Sequence, residues 1–360
     1  MNISQSLEKT RDRIKDIIKQ PLVAQHEAEL TSAEIAILWN TYMHYSMLTC
    51  FFKYFEKVAR DNNENDIMSL ISYALKSFST RLKWITDTFK REKLTIPLGF
   101  SENDVKIEAP QLYSNSYLLY YLKNMINLGL TVHALNINLA ARPDVRDFYN
   151  EIITTILELN KNTANLMLER GILPRHPYIP ISGQRDITRQ TSFFDGFIGE
   201  KRPLLAVEIT HLYLNALINH IGRVLLNGFA QVAKSEKIRE YMIEGTKISD
   251  EMIEDFTSIL REDGIPTPLP WDASVTDSTV APFSDKLMMY HVSLLTAFGV
   301  GAYGVSLAAS PRSDLATKYA KIMANVGKYT VKGAKILMDN GWMEEPPQVV
   351  DYESLSKKLQ

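Results

Sequence analysis

Apolar residues recur along most of the chain at spacings of three and four, the pattern typical of amphipathic α-helices. No stretch shows the convincing alternation of apolar and polar residues that marks a half-buried strand. The periodicity predicts eight long helices, at residues 31–59, 65–92, 114–141, 144–170, 204–233, 235–262, 284–309 and 313–340. We therefore predict an all-α protein.

One interruption of the helical pattern occurs twice. NINLAARPDV at 136–145 and GVSLAASPRSDL at 304–315 both contain Leu-Ala-Ala, one more residue, and then Pro. Proline is tolerated at the first position of a helix because its missing N–H has no partner there. We interpret each interruption as a tight corner between two helices, with Pro143 and Pro311 at the first helical position.

Other stretches are also duplicated, at offsets of 168 to 174 residues. The aligned pairs are ELTSAEIAILW with PLLAVEITHLY (29–39 and 203–213), IPLGF with TPLPW (96–100 and 267–271), and MLERGILPRHP with LMDNGWMEEPP (167–177 and 337–347). We predict a tandem duplication, with one domain at 1–180 and a second at 200–360.

The connections between helices predict the topology of each repeat. Helices one and two are joined by short polar turns, which favour an antiparallel hairpin. Between helices two and three lies a long connection that contains proline, at 93–113 and 263–283. Two hairpins joined by one long crossover form the ferritin-like topology. The predicted fold is two tandem ferritin-like four-helix bundles.

Several stretches resemble a known family, and together they cover nearly the whole chain. They are PLGFSENDVKIEAPQLYSN, PFSDKLMMYH, SPRSDLATKY and GWMEEPPQVVDYESL. They look like a tandem ferritin-like family of endospore-forming bacteria, catalogued as domain of unknown function three-two-three-one, which resembles spore-coat F proteins in fold. The resemblance implies a fold and a lineage, and it brings no established reaction.

Composition is ordinary for a soluble globular protein, with 45% hydrophobic and 23% charged residues and a formal net charge of −2. No run of Lys and Arg forms a stripe that would follow a phosphate backbone, so we expect no nucleic-acid partner. The stretch from Leu287 to Ala309 has no formally charged residue, but its counterpart in the first repeat contains Lys123. A buried bundle helix explains both copies, so we expect no membrane span.

The N-terminus lacks an apolar signal core, which favours a cytoplasmic location, with association with the spore as a further option. Cys50 is the single cysteine, which excludes a disulfide within the chain. Because Cys50 lies among helical apolar residues, we predict a buried, inert thiol.

A ferritin-like bundle suggests a di-iron site, which needs a Glu from each of two helices and Glu-x-x-His from each of the other two. The second repeat has one such motif, Glu208-Ile-Thr-His211, on its first helix, and its fourth helix has neither Glu nor His. In the first repeat, Ile37 stands where the motif beginning at Glu34 would need His. We predict no dinuclear centre in either repeat.

A mononuclear site in the second repeat is the remaining metal hypothesis. Glu208 and His211 lie one turn apart on one helical face, and His291 on the third helix is a candidate third ligand for a single zinc or iron ion. The alternative is that Glu208 and His211 form a satisfied polar pair, and that His291 is a core histidine with a hydrogen-bond partner.

Gly299, Gly301 and Gly304 have the G-x-G-x-x-G spacing, but they lie inside a predicted helix, where the backbone N–H groups are already bonded. Helix-interior glycine is unfavourable by roughly 1 kcal/mol each against alanine. We therefore predict that another helix packs closely against this segment.

Three functions follow from these patterns. The first is a non-enzymatic structural or interaction protein of a spore-forming bacterium, with protein contacts or self-association and no cofactor. The second is a metal-binding protein or oxidoreductase that uses the mononuclear site. The third is a carrier of an apolar ligand, suggested by Met288, Met289, Phe298 and Tyr303.

Overall fold

The structure is a computed structural model that describes residues 28–180, 187–188, 191–197, 201–268 and 274–349. Residues 1–27 of the predicted first domain, and 350–360 of the second, lie outside this part. The described residues contain eight α-helices. They are α1 (Ser32–Asp61), α2 (Asn65–Arg91), α3 (Asn115–Leu139), α4 (Pro143–Glu169), α5 (Ala206–Val232), α6 (Glu236–Glu262), α7 (Asp285–Ala308) and α8 (Ser313–Asp339).

Local signals explain where the helices begin and end. Thr31 and Glu34 form a capping box at the start of α1. Ser114 and Ser284 cap α3 and α7, each accepting a hydrogen bond from a backbone N–H of the first turn. Gly171 and Gly341 follow α4 and α8 with φ of 68° and 66°, a conformation that glycine adopts without steric cost. The predicted helices are confirmed to within two residues at each end.

The helices form two four-helix bundles, as predicted. In the first repeat, α1 packs against α2 and α3 packs against α4; in the second, α5 pairs with α6 and α7 with α8. A long crossover connects the two hairpins of each repeat, as predicted. In the described part of the chain the only β-structure is two isolated bridges.

The two crossovers pair with each other, and this pairing relates the repeats by an approximate two-fold axis. Val105 bridges to Phe283, and Tyr113 bridges to Val275. At the offset of 170 set by the caps of α3 and α7, Val105 corresponds to Val275 and Tyr113 to Phe283. Each bridge is therefore the reciprocal of the other, which is the arrangement of an isologous dimer within one chain.

The hydrophobic core is continuous across the boundary between the repeats. One cluster of buried side chains includes Phe51 and Phe55 of α1, Phe229 of α5 and Leu287 of α7. A smaller cluster, which contains Leu212 and Phe256, fills the far end of the second repeat. The bundles are thus two repeats in topology, but most of their apolar core is shared.

Buried polar groups cross the same boundary. The Tyr113 hydroxyl donates to the Leu225 carbonyl at 2.9 Å, and the Tyr117 hydroxyl donates to the Ile221 carbonyl.

Cys50 is buried on α1, its Sγ donates to the Ser101 carbonyl, and burial raises the pKa of its thiol to about 12. The thiol is therefore protonated at neutral pH, which confirms the buried thiol predicted from the sequence.

Candidate functional site

Glu208 lies in the first turn of α5 and is fully buried. Its carboxylate accepts two hydrogen bonds of 2.8 Å from the Arg202 guanidinium and one of 2.8 Å from the Leu205 N–H. A fourth comes from the Arg312 N–H at 3.3 Å. Burial raises the pKa of Glu208, but the bonds from Arg202 and Leu205 outweigh it and hold the pKa below its ordinary value.

Glu34 has the same position and role in the first repeat. Its carboxylate accepts hydrogen bonds from the N–H groups of Thr31 at 2.9 Å, Ala141 at 3.0 Å and Arg142 at 2.6 Å. Burial raises the pKa of Glu34, but these backbone bonds outweigh it, so the pKa is lowered. Glu34 and Glu208 are the only fully buried carboxylates in the described part of the chain.

Each carboxylate bonds the corner between the third and fourth helices of its repeat. Arg142 is the N-cap of α4 and pairs with Asp144 at 2.7 Å, and Arg312 is the N-cap of α8 and pairs with Asp314 at 2.8 Å. Pro143 is the first residue of α4, as predicted. Pro311, by contrast, precedes the N-cap of α8, because the two prolines lie 168 residues apart whereas the N-caps Arg142 and Arg312 lie 170 apart.

His211 is half-buried one turn after Glu208, and its Nδ1 lies 3.2 Å from the Ser306 hydroxyl of α7. Burial lowers the pKa of its imidazole. The Glu208 oxygens are already bonded to Arg202 and to backbone N–H groups. The two residues therefore share a helical face as predicted, with separate partners.

His291 lies elsewhere. It precedes Ser306 by fifteen residues on α7, a rise of about 22 Å, so it lies well away from His211. It is fully buried at the boundary between the repeats, where Nε2 is 3.1 Å from the Tyr121 hydroxyl and Nδ1 is 3.1 Å from the Met47 sulfur. Burial lowers its pKa to about 3.

The three residues predicted as a metal site are thus not brought together by the fold. Across the described ranges, no group of three or more His, Cys, Asp and Glu side chains could hold a metal ion. At the offset of 170 between α3 and α7, His291 corresponds to Tyr121. The two partners of this hydrogen bond are therefore equivalent residues across the approximate two-fold axis.

The prediction that the glycines of α7 mark a close helix contact is wrong. A Cβ built on Gly301 meets nothing within 4 Å, and one on Gly304 meets only the end of Met323 at 3.7 Å. Close approach occurs instead at Gly245 and Gly333, against the stacked rings of Tyr329 and Tyr241. Gly299 corresponds to Gly129, so it is common to both repeats.

The α7 glycines border a cavity in the second bundle. This repeat-two cavity has a volume of about 620 Å³ and is lined by α5, α6, α7 and α8, and by α3 of the first repeat. The repeat-one cavity occupies the equivalent place in the first bundle, with α7 of the second repeat on its rim, and has a volume of about 50 Å³. Phe298 and Tyr303 line the larger cavity, whereas Met288 and Met289 are buried in the shared core.

Among the helices that the structure describes, α7 alone is long and apolar enough to cross a membrane by length and composition. A single helix of this kind is weak evidence for a span. The sequence predicted a buried bundle helix, whereas 22% of the apolar window of α7 is buried in the structure. Here α7 packs along α8 and borders the repeat-two cavity.

The profile of a family described as "Protein of unknown function (DUF3231)" matches residues 21–184 and again residues 192–355. The chain belongs to the DUF3231 family. Each DUF3231 match covers one four-helix bundle, so the sequence duplication and the structural duplication coincide.

A solved structure of a protein named as a candidate spore coat protein, from Bacillus halodurans C-125, is similar to part of this DUF3231 chain. The identity is 18%, the match covers 42% of this chain and 98% of the other, and the TM-score is 0.39. No curated protein matches the chain.

Sequence reasoning missed the polar pairs inside the bundles. Tyr45 and His133 are joined at 3.0 Å in the first repeat, and Asn219 and Tyr303 at 3.0 Å in the second. The alignment that pairs Glu34 with Glu208 also pairs Tyr45 with Asn219. That alignment was the sequence signal for the first partner of each pair. The second partners, His133 and Tyr303, are equivalent at the offset of 170 between α3 and α7.

Proposed function

We propose that this DUF3231 protein is a non-catalytic structural or interaction module of a spore-forming bacterium. The observation that carries the proposal is the shared role of Glu34 and Glu208. Each of these buried carboxylates closes a helix corner, through backbone N–H groups in both repeats and an arginine pair in the second. In a catalytic or metal site of a bundle, such carboxylates would face the bundle interior with free oxygens.

The test is the substitution Glu208→Gln, which keeps the shape of the side chain and removes its charge. We expect a loss of about 3 kcal/mol in the free energy of unfolding, because Arg202 is left without its partner in a largely buried place. Urea denaturation measures this loss. Glu34→Gln is the matched variant in the first repeat, and it should destabilise the fold in the same direction.

His211→Gln separates the structural role from metal binding. We expect this variant to lose less than about 1 kcal/mol, since His211 is half-buried and makes a single polar contact. Elemental analysis of wild-type protein purified without chelator should find no stoichiometric zinc or iron. A stoichiometric metal that is lost in both Glu208→Gln and His211→Gln would favour the mononuclear alternative instead.

The spore-related part of the proposal is supported by the stretches that resemble the family of endospore-forming bacteria. Immunoblots of vegetative cells, sporulating cells and purified spores of the source organism test it. We expect the protein to be enriched in sporulating cells or spores. Equal amounts of the protein in vegetative and sporulating cells, together with its absence from spores, would remove sporulation from the proposal. The prediction for Glu208→Gln would be unaffected.

A further inference from the structure

The two bundle cavities differ because of a few side chains at equivalent positions. Leu48 of the first repeat corresponds to Gly222, and Phe78 corresponds to Ser249, by the helix offsets of α5 and α6. All four residues line the cavity of their own repeat. Exchanging leucine for glycine and phenylalanine for serine removes side-chain volume from the bundle interior, and this accounts for the larger cavity.

The repeat-two cavity has the size and lining of a ligand site. Its volume of about 620 Å³ falls within the range of small-molecule pockets, roughly 300–1,000 Å³. The lining is mostly aliphatic and aromatic, and it includes Leu226, Leu295 and Phe298. A well-packed bundle core has few voids larger than a water molecule. The repeat-one cavity, at about 50 Å³, has less than a tenth of the volume of the repeat-two cavity.

The chemistry of the lining indicates what the ligand would be. No Asp, Glu, Lys, Arg or His side chain lines the repeat-two cavity. A charged group placed inside would have no counter-charge and would lose its hydration, which is strongly unfavourable. Polar contacts are available from the buried pair of Asn219 and Tyr303, which can bond a hydroxyl or carbonyl group.

An opening to solvent lies beside the seam between the repeats. Thr131 and Asn127 of α3, and Gly301 and Val305 of α7, line the cavity and are exposed. Val305 is 62% exposed, and a Cβ on Gly301 would meet no atom within 4 Å. A ligand could therefore enter between α3 and α7 without unfolding of the bundle.

We propose that the repeat-two cavity binds an uncharged, mainly aliphatic molecule that carries at most a hydroxyl or carbonyl group. The larger cavity results from the loss of the leucine and phenylalanine side chains that fill the first bundle. The site is separate from the Glu208 corner, so the ligand proposal is tested independently of the proposed structural role.

The test uses the full-length protein, with the neutral fluorophore Nile red as probe. Gly222→Leu restores the repeat-one residue, and a Cβ at this position has nothing within 4 Å, so the variant is expected to fold. We expect its affinity for Nile red to fall about tenfold or more, the equivalent of roughly two methylene groups of ligand burial. Its melting temperature should be equal to or above that of the wild type, since leucine favours the helix.

Gly327→Leu is the matched control. Gly327 lies inside α8, does not line the cavity, and also has open space around its Cβ. This variant should bind Nile red within about twofold of the wild type. Ser249→Phe restores the second repeat-one residue and keeps the test decisive if Gly222→Leu does not fold. Unchanged affinity in whichever of these cavity variants folds would overturn the proposal.

Competition identifies the class of ligand. We expect 1-dodecanol to displace Nile red, and dodecanoate, at a pH where it is ionised, to displace it much less. Equal displacement by both would overturn the assignment of a neutral ligand. Sedimentation velocity provides the remaining comparison. Binding of Nile red only to an oligomer would show that this surface accepts a second copy of the chain instead.

Discussion

The first repeat, expressed alone as residues 21–184, is expected not to form a stable monomer. The hydrophobic core is continuous across the two repeats, so removal of the second repeat exposes large aromatic side chains. Phe51 alone would lose ring contacts with Phe229, Phe283 and His291, whose centroids lie 6.1, 4.1 and 4.7 Å away. Each exposed aromatic side chain forfeits roughly 1.5–3 kcal/mol of burial.

Polar losses add to this effect. The hydroxyls of Tyr113 and Tyr117 would lose their acceptors, the carbonyls of Leu225 and Ile221. Since a typical domain is stable by only 5–15 kcal/mol, these terms together suffice to unfold the isolated repeat. Because the boundary is reciprocal, the fragment is expected to dimerise through it or to aggregate.

Sedimentation velocity and thermal denaturation of the fragment measure this outcome. The control is the same fragment co-expressed with residues 192–355, which should restore a one-to-one complex that unfolds cooperatively. A fragment that stays monomeric and melts at the temperature of the full chain would show that each bundle is an independent domain.

The second large effect is a loss of stability in mild acid. His133 and His291 are buried, and burial lowers the pKa of each to about 3, with a smaller contribution from His44. An unfolded histidine has a pKa near 6.5. Between these values the unfolded chain binds protons that the folded chain does not, so stability is complete above about pH 6.5 and falls as the pH is lowered.

Urea denaturation at pH 7 and pH 4.5 measures the size of this loss. Each histidine contributes about 1.4 kcal/mol per pH unit inside the window, so His133 and His291 together remove about 5 kcal/mol over this interval. Burial also lowers the pKa of His44 and of His220 to about 4, so these two histidines add to the loss. Protonation of Glu34 and Glu208, whose pKa values are lowered, would reduce stability further only at lower pH.

His291→Gln is the variant that tests the cause. Glutamine does not titrate, and its amide can still bond the Tyr121 hydroxyl. The loss between pH 7 and pH 4.5 should then be smaller than in the wild type by about 2.7 kcal/mol, the contribution of one histidine over this interval. An equal loss in the variant would mean that other groups control the acid sensitivity.

Much of the fold follows from the sequence, because helix periodicity and the signals that begin and end helices depend on residues close together in the chain. Thr31, Ser114 and Ser284 cap their helices through contacts within three or four residues. The repeated Leu-Ala-Ala corner needed only proline chemistry to be recognised. The position of the second proline was the exception, because Pro143 and Pro311 lie 168 residues apart whereas the N-caps of α4 and α8 lie 170 apart.

The sequence by itself therefore determined the eight helices, the duplication and the hairpin–crossover–hairpin order of each bundle. Only the tertiary structure decided which side chains meet. Glu208 bonds Arg202 and Arg312 at a helix corner. His291 bonds Tyr121 across the boundary between the repeats, although the two residues are 170 positions apart in the chain. Such contacts depend on how helices from different repeats are placed against each other, and no local pattern records that placement. The repeat-two cavity is of the same kind, since a volume is left empty only when all the surrounding helices are in position.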